Sequence, residues 1–192
     1  MTRLASDNNE WGLTLVEGSP LRADAQRNRA RILDAAETVF AEFGTRASTE
    51  EVARRAGLAI GTVFRHFPTK DDLLAAIMKR LLAQLVEEAT ERDLFAFFRH
   101  VVAQAAAKKT AVDLLAGSGF DIRVPDALSH LSDAVGRLLT QAQDAGAVDA
   151  SVRLPEVMAL LASLCQGALH GGWDDHLQAR TLTVVFAGLK GC

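Results

Sequence analysis

From about residue 22 onward, apolar positions recur every three or four residues, the spacing of amphipathic helices rather than strands. Over 22–43 the stripe is Ile32, Leu33, Ala36, Val39, Phe40 and Phe43, and Gly44 closes it. Ser48 and Glu51 stand at capping-box spacing and open a second helix, whose apolar side is Val52, Ala53 and Ala56. Gly57 supplies the left-handed turn that ends it. A short third helix fits over 59–67, with Pro68 as its stop. Thr69 and Asp72 repeat the capping-box spacing and start a fourth helix over 70–89, striped by Leu73, Leu74, Ile77, Leu81, Leu82 and Leu85. Further helices are predicted over 94–108, 110–116, 125–145, 155–170 and 175–190, with a loop over 117–124. Residues 1–19 lack periodicity and read as a flexible arm. The expected fold is all-α: an N-terminal three-helix helix-turn-helix unit over 20–69, then a helical domain over 70–192.

The third helix carries the chemistry. On a helical wheel Ile60, Val63, Phe64 and Phe67 share one apolar arc, expected to brace the helix on its neighbours. Gly61, Thr62, Arg65 and His66 fill the opposite arc. Hydrogen-bonding side chains beside a glycine, where another molecule can approach closely, are what a helix needs to enter the major groove of DNA. Gly61, Thr62 and Arg65 are therefore the expected base readers, and Ile60 is placed to touch a thymine methyl. Thr49, His66 and Lys70 are the expected phosphate contacts. Lys70 is unusual, since a cation in a first helical turn opposes the helix dipole unless an anion such as a phosphate lies there too.

The run GTVFRHFPTKDDLLAAI resembles the helix-turn-helix end and fourth-helix start of the TetR family of bacterial regulators, over about 27–77. One departure is Phe64, where that family often has tyrosine; this chain has no tyrosine at all. The resemblance implies a ligand-responsive transcriptional regulator, acting as a repressor on a palindromic double-stranded DNA operator. Its recognition helices would lie about 34–36 Å apart, or a multiple of that. It also implies phosphate contacts near the start of the first helix, with Arg27, Arg29, Arg31 and the following Arg46 as candidates. For the second domain it implies an effector pocket and a dimer interface. Phe95, Phe98, Val102, Leu114, Phe120, Leu131, Val135, Leu161, Cys165 and Trp173 are the side chains expected around a small, mainly apolar effector. The homodimer is expected through residues 154–190: Leu154, Val157, Leu160, Leu161, Leu164, Gly167 and Ala168, then Leu182, Val185, Phe186 and Leu189. Gly167 and Ala168 would allow close helix approach.

Charge sharpens this picture. The chain of 192 residues carries a net −3. Residues 19–70 hold nine Lys/Arg against six Asp/Glu, whereas 71–192 hold eleven against fifteen. The basic excess thus sits where DNA is expected. Two cysteines in no metal-binding spacing, together with no apolar run of membrane-spanning length and no signal peptide, lead to the expectation of a cytoplasmic protein. No cofactor is expected, and no catalytic motif stands out. His170, Asp174, Asp175 and His176 could suggest a metal, but a polar turn between helices accounts for them better. The alternatives are a second domain that only dimerises and, more remotely, a helical enzyme or metal protein.

Overall fold

The computed structural model describes residues 20–107 and 125–190. Within them the chain forms eight α-helices and no strand. These are α1 (Pro20–Phe43), α2 (Thr49–Ala56), α3 (Ile60–His66), α4 (Lys70–Ala89), α5 (Leu94–Ala107), α6 (Pro125–Asp144), α7 (Leu154–His170) and α8 (Asp175–Leu189). A 3-10 turn, Gly44–Arg46, follows α1. The arm over 1–19 and the helix and loop expected over 110–124 lie outside the described residues, as do Leu114 and Phe120.

Local chemistry sets the helix ends. Ser48 Oγ accepts from the Glu51 N–H at 3.1 Å, capping α2. Only half of the expected box forms, because the Glu51 carboxylate turns instead to Arg54 and Arg55. Gly57 closes α2 at φ 63°, and the Leu58 N–H reaches back to the Ala53 carbonyl at 3.0 Å. At α4 the box is complete: Thr69 Oγ1 accepts from the Asp72 N–H, and the Asp72 carboxylate accepts from the Thr69 N–H, both at 3.1 Å. Asp93 and Asp174 accept from the N–H groups of Ala96 and Leu177, at 2.8 and 2.7 Å, at the starts of α5 and α8.

Two hydrophobic cores form, and α4 enters both. Ile32, Val39, Phe40, Val52, Val63, Phe67, Leu73 and Ile77 belong to the first, which joins α1, α2, α3 and the first half of α4. Leu82 and Ala89, from the second half of α4, pack with Phe97, Phe98, Val102, Val135, Val157 and Phe186 in the other. Met78 touches both cores. Along this second core α4 lies against α6, and α5 lies against α7. Arg80 ties α4 back to α1, with salt bridges of 2.6 Å to Asp34 and 2.8 Å to Glu37.

Candidate nucleic-acid interface

A seven-residue helix such as α3 is too short to persist alone. It is held because Val63 and Phe67 are buried, a contribution of about 1.5–3 kcal/mol each if fully removed from water. The other two members of the expected apolar arc behave differently. Ile60 and Phe64 are exposed and do not brace the helix. The first core is reached from one edge of the arc, by Val63 and Phe67, which leaves the other edge outside.

The outward face follows the expected order. Gly61 and Arg65 are exposed, while Thr62 and His66 are half-buried on the flank. The Arg65 guanidinium lies back along its own helix, 3.3 Å from the Gly61 carbonyl and 3.4 Å from Thr62 Oγ1. These are long contacts that a better acceptor can replace. A Cβ built at Gly61 would meet no atom of the described residues within 4 Å, so none of them requires glycine there. His66 packs its ring 6.4 Å from that of Phe67, and Thr49 is the half-buried first residue of α2.

Lys70 has an internal role. Its Nζ donates to the Ala47 carbonyl at 3.0 Å and lies 5.4 Å from the centre of the Phe40 ring. Those contacts, with Asp71 and Asp72 in the same turn, account for a cation at a helix start without a phosphate. Three arginines of α1 are also engaged. Arg27 pairs with Asp24, Arg29 lies 5.2 Å over the Phe67 ring, and Arg31 donates to the Ala56 carbonyl at 2.6 Å. Arg46 is exposed at the end of the 3-10 turn. On α2, hydrogen bonds from Arg54 and then Arg55 hold the Glu51 carboxyl down to about 2. Arg55 also reaches Glu42 on α1. The Glu51, Arg54 and Arg55 spacing was visible as a helical charge pattern. The Glu42 link, thirteen positions away, had no local signal.

In the second core, all eight described members of the expected effector set come together. Phe98, Val102, Leu131, Val135 and Leu161 are buried, and Phe95, Cys165 and Trp173 pack against them half-buried. Phe186 lies between Phe95 and Phe98, with ring centres 4.7 and 6.0 Å away. Burial pushes the Cys165 thiol up to about 11, which removes it as a nucleophile at neutral pH. An open groove on α6, lined by Asp133, Gly136, Arg137, Thr140 and Leu154 among others, includes none of the expected set.

Seven of the expected dimer residues are buried within the chain itself. Val157, Leu161, Leu164, Ala168, Leu182, Phe186 and Leu189 face their own protomer's core. Gly167 is half-buried and packs within the chain. A Cβ there would fall 2.5 Å from Trp173 Cζ2, so the glycine seats that indole. Left outside instead are Ala159, Ala162, Ser163 and Gln166 on α7, with Leu177, Val184, Ala187 and Gly188 on α8. Val184 is 73% exposed.

A braced short helix after a glycine turn, presented on a helical body, defines a class of helix-turn-helix DNA-binding proteins. Family models agree. Residues 32–77 match that of bacterial regulatory proteins of the tetR family, and residues 89–191 match that of the C-terminal domain of SbtR-like transcriptional regulators. A TetR transcription regulatory protein from Mycobacterium vanbaalenii is 39% identical, with a TM-score of 0.68 over 88% of this chain and 99% of its own. The TetR regulator SCO0520 from Streptomyces coelicolor is 30% identical, with a TM-score of 0.64 over 84% and 97%. The transcriptional repressor KstR2 of Rhodococcus jostii is 30% identical over 94 residues, covering 48% of this chain and 42% of that protein. The chain spans less than half the length of the curated relatives it matches. This chain belongs to the TetR family of bacterial regulatory proteins. Among the described residues, no cluster of three or more His, Cys, Asp or Glu could hold a metal ion, and no helix is long and apolar enough to cross a membrane.

Proposed function

We propose that this regulator is a cytoplasmic repressor that grips a palindromic operator as a homodimer and is released by a small, mainly apolar effector. Residues 20–69 read DNA, and residues 70–192 bind the effector and dimerise. The observation that carries the DNA reading is the outward face of α3, where Arg65 lies exposed beside a glycine with open space around it. Gly61, Thr62 and Arg65 read bases, while Thr49, His66, Lys70 and Arg46 contact phosphates. Arg65 exchanges its long contacts along α3 for a base edge. The surface left outside on α7 and α8 supplies the two-fold interface, four helices meeting through Ala159, Ala162, Val184 and Gly188.

The effector reading is supported by α4, which belongs to both cores. A ligand entering among Phe95, Phe98, Cys165 and Trp173 would displace packed helices as bodies. The shift would run along α4 to Lys70 and change the separation of the two α3 helices. Reciprocity then requires that a releasing ligand bind the operator-bound dimer less tightly, by the same factor. The packing of all eight described candidates into one core favours a second reading, in which this domain only dimerises. A thermal-shift screen with a DNA-release readout separates the two.

The test of the DNA reading begins with operator selection from a random duplex pool by the full-length protein. Arg65→Ala is expected to relax base preference at one position per half-site and to cost roughly 1–3 kcal/mol on the operator, with little change on scrambled DNA. Unchanged base preference in that variant would refute the placement of Arg65.

A further inference from the structure

Two large apolar side chains on α3 stay outside the core: Ile60 at 37% exposure and Phe64 at 45%. Four residues apart, they lie one above the other on a helix face. That face adjoins Gly61 and Arg65, and the core is served by Val63 and Phe67 instead. A single exposed hydrophobe is ordinary. Two adjoining ones on a seven-residue helix, next to an open backbone approach, form a small apolar ridge. Its surroundings are cationic: Arg65 on the same helix, Arg29 over Phe67 at the end of α3, and Lys70 at the start of α4. The complementary partner is a polyanion that also offers an apolar group at the depth of the ridge. In the major groove of duplex DNA that group is the thymine C5-methyl.

We propose that Ile60 and Phe64 clamp thymine methyl groups in each operator half-site, so that the sequence there is specified by a methyl rather than by hydrogen bonds. The proposal rests on α3 being the recognition helix. It extends beyond thymine, because 5-methylcytosine carries the same methyl at the same place in the groove. The clamp would therefore make this site sensitive to cytosine methylation, with methylated cytosine bound more tightly than plain cytosine. Burying one methyl is worth about 0.8 kcal/mol, which is about fourfold in affinity per half-site and roughly fifteenfold over a symmetric pair.

The full-length protein is used to select operators, and each thymine is then replaced by uracil, which differs only in lacking the methyl. At one thymine per half-site or more, wild type is expected to lose about fourfold in affinity per substituted half-site. Ile60→Ala/Phe64→Ala should bind the thymine and uracil duplexes alike. Cytosine at that position should weaken wild-type binding, and 5-methylcytosine should restore part of the loss. Both side chains are surface groups, and melting temperature checks that the variant folds. Selected operators insensitive to uracil, or a uracil effect of equal size in the double variant, would overturn the clamp while leaving α3 as the reader. Failure of wild type to enrich any sequence would overturn the recognition-helix reading itself, and the clamp with it.

Discussion

Gly61→Ala should make the protein more stable and a poorer DNA binder at once. Among the described residues the new methyl meets no atom within 4 Å, so it creates no clash with them. Replacing a helical glycine removes its extra conformational entropy in the unfolded chain, a gain of about 0.5–1 kcal/mol. For a protein of this size that raises the melting temperature by about 1–4 °C. On DNA the sign reverses, because the methyl enters the space where a base edge approaches the backbone. Overfilling a close contact costs about 1–3 kcal/mol, a roughly 5- to 150-fold loss of operator affinity. Differential scanning fluorimetry reads the first effect. Fluorescence anisotropy with a labelled operator at fixed salt reads the second. A variant that melts higher and binds as tightly as wild type would refute the close approach. One that melts lower would show that Gly61 has an internal role.

Lys70→Ala should lose about 1.5–3 kcal/mol of stability from its charged hydrogen bond to the Ala47 carbonyl, seen in denaturant unfolding. It should also weaken binding to operator and scrambled DNA alike, with a shallower salt dependence. Gly167→Ala places a Cβ 2.5 Å from Trp173 Cζ2, so the indole must withdraw by roughly 1 Å. Gly136→Ala, whose Cβ meets Leu154 Cδ2 at an ordinary 3.4 Å, is the matched control, and Gly167→Ala should be roughly 1–3 kcal/mol less stable than it. In a Trp11→Phe background the Trp173 emission should shift to the red, and an unmoved spectrum would refute the seat. Val184→Glu leaves a 73% exposed position exposed in the protomer, so folding should change by less than about 0.5 kcal/mol. Sedimentation should nevertheless show monomer with lost operator affinity, and a dimer as tight as wild type would move the interface elsewhere.

Among the described residues, sequence by itself determined the elements and their approximate ends, because those depend on neighbours a few residues apart. Ser48, Gly57, Pro68, Thr69 and Asp72 act within one helical turn, and the helix boundaries they set are those of the fold. The same local logic carried the resemblance of residues 27–77, and with it the family. It also separated Gly61 and Arg65 from Val63 and Phe67, since those pairs lie on opposite sides of one wheel. What the wheel could not decide was how far round the core would reach. An apolar arc is a property of one helix, whereas burial depends on which neighbour arrives and at what angle. Phe64 was therefore assigned to the bracing face, and the packing of α1, α2 and α4 left it outside. Phe186 misled for the same reason. Both α7 and α8 are apolar over wide arcs, so their sequences cannot tell a surface for a second chain from one facing their own core. Only tertiary structure brought Trp173 onto Gly167, placed Phe186 between Phe95 and Phe98, and set Lys70 against the Ala47 carbonyl 23 positions away. Each of these contacts joins segments far apart in sequence or selects one face among several apolar ones, and no short-range pattern encodes either choice.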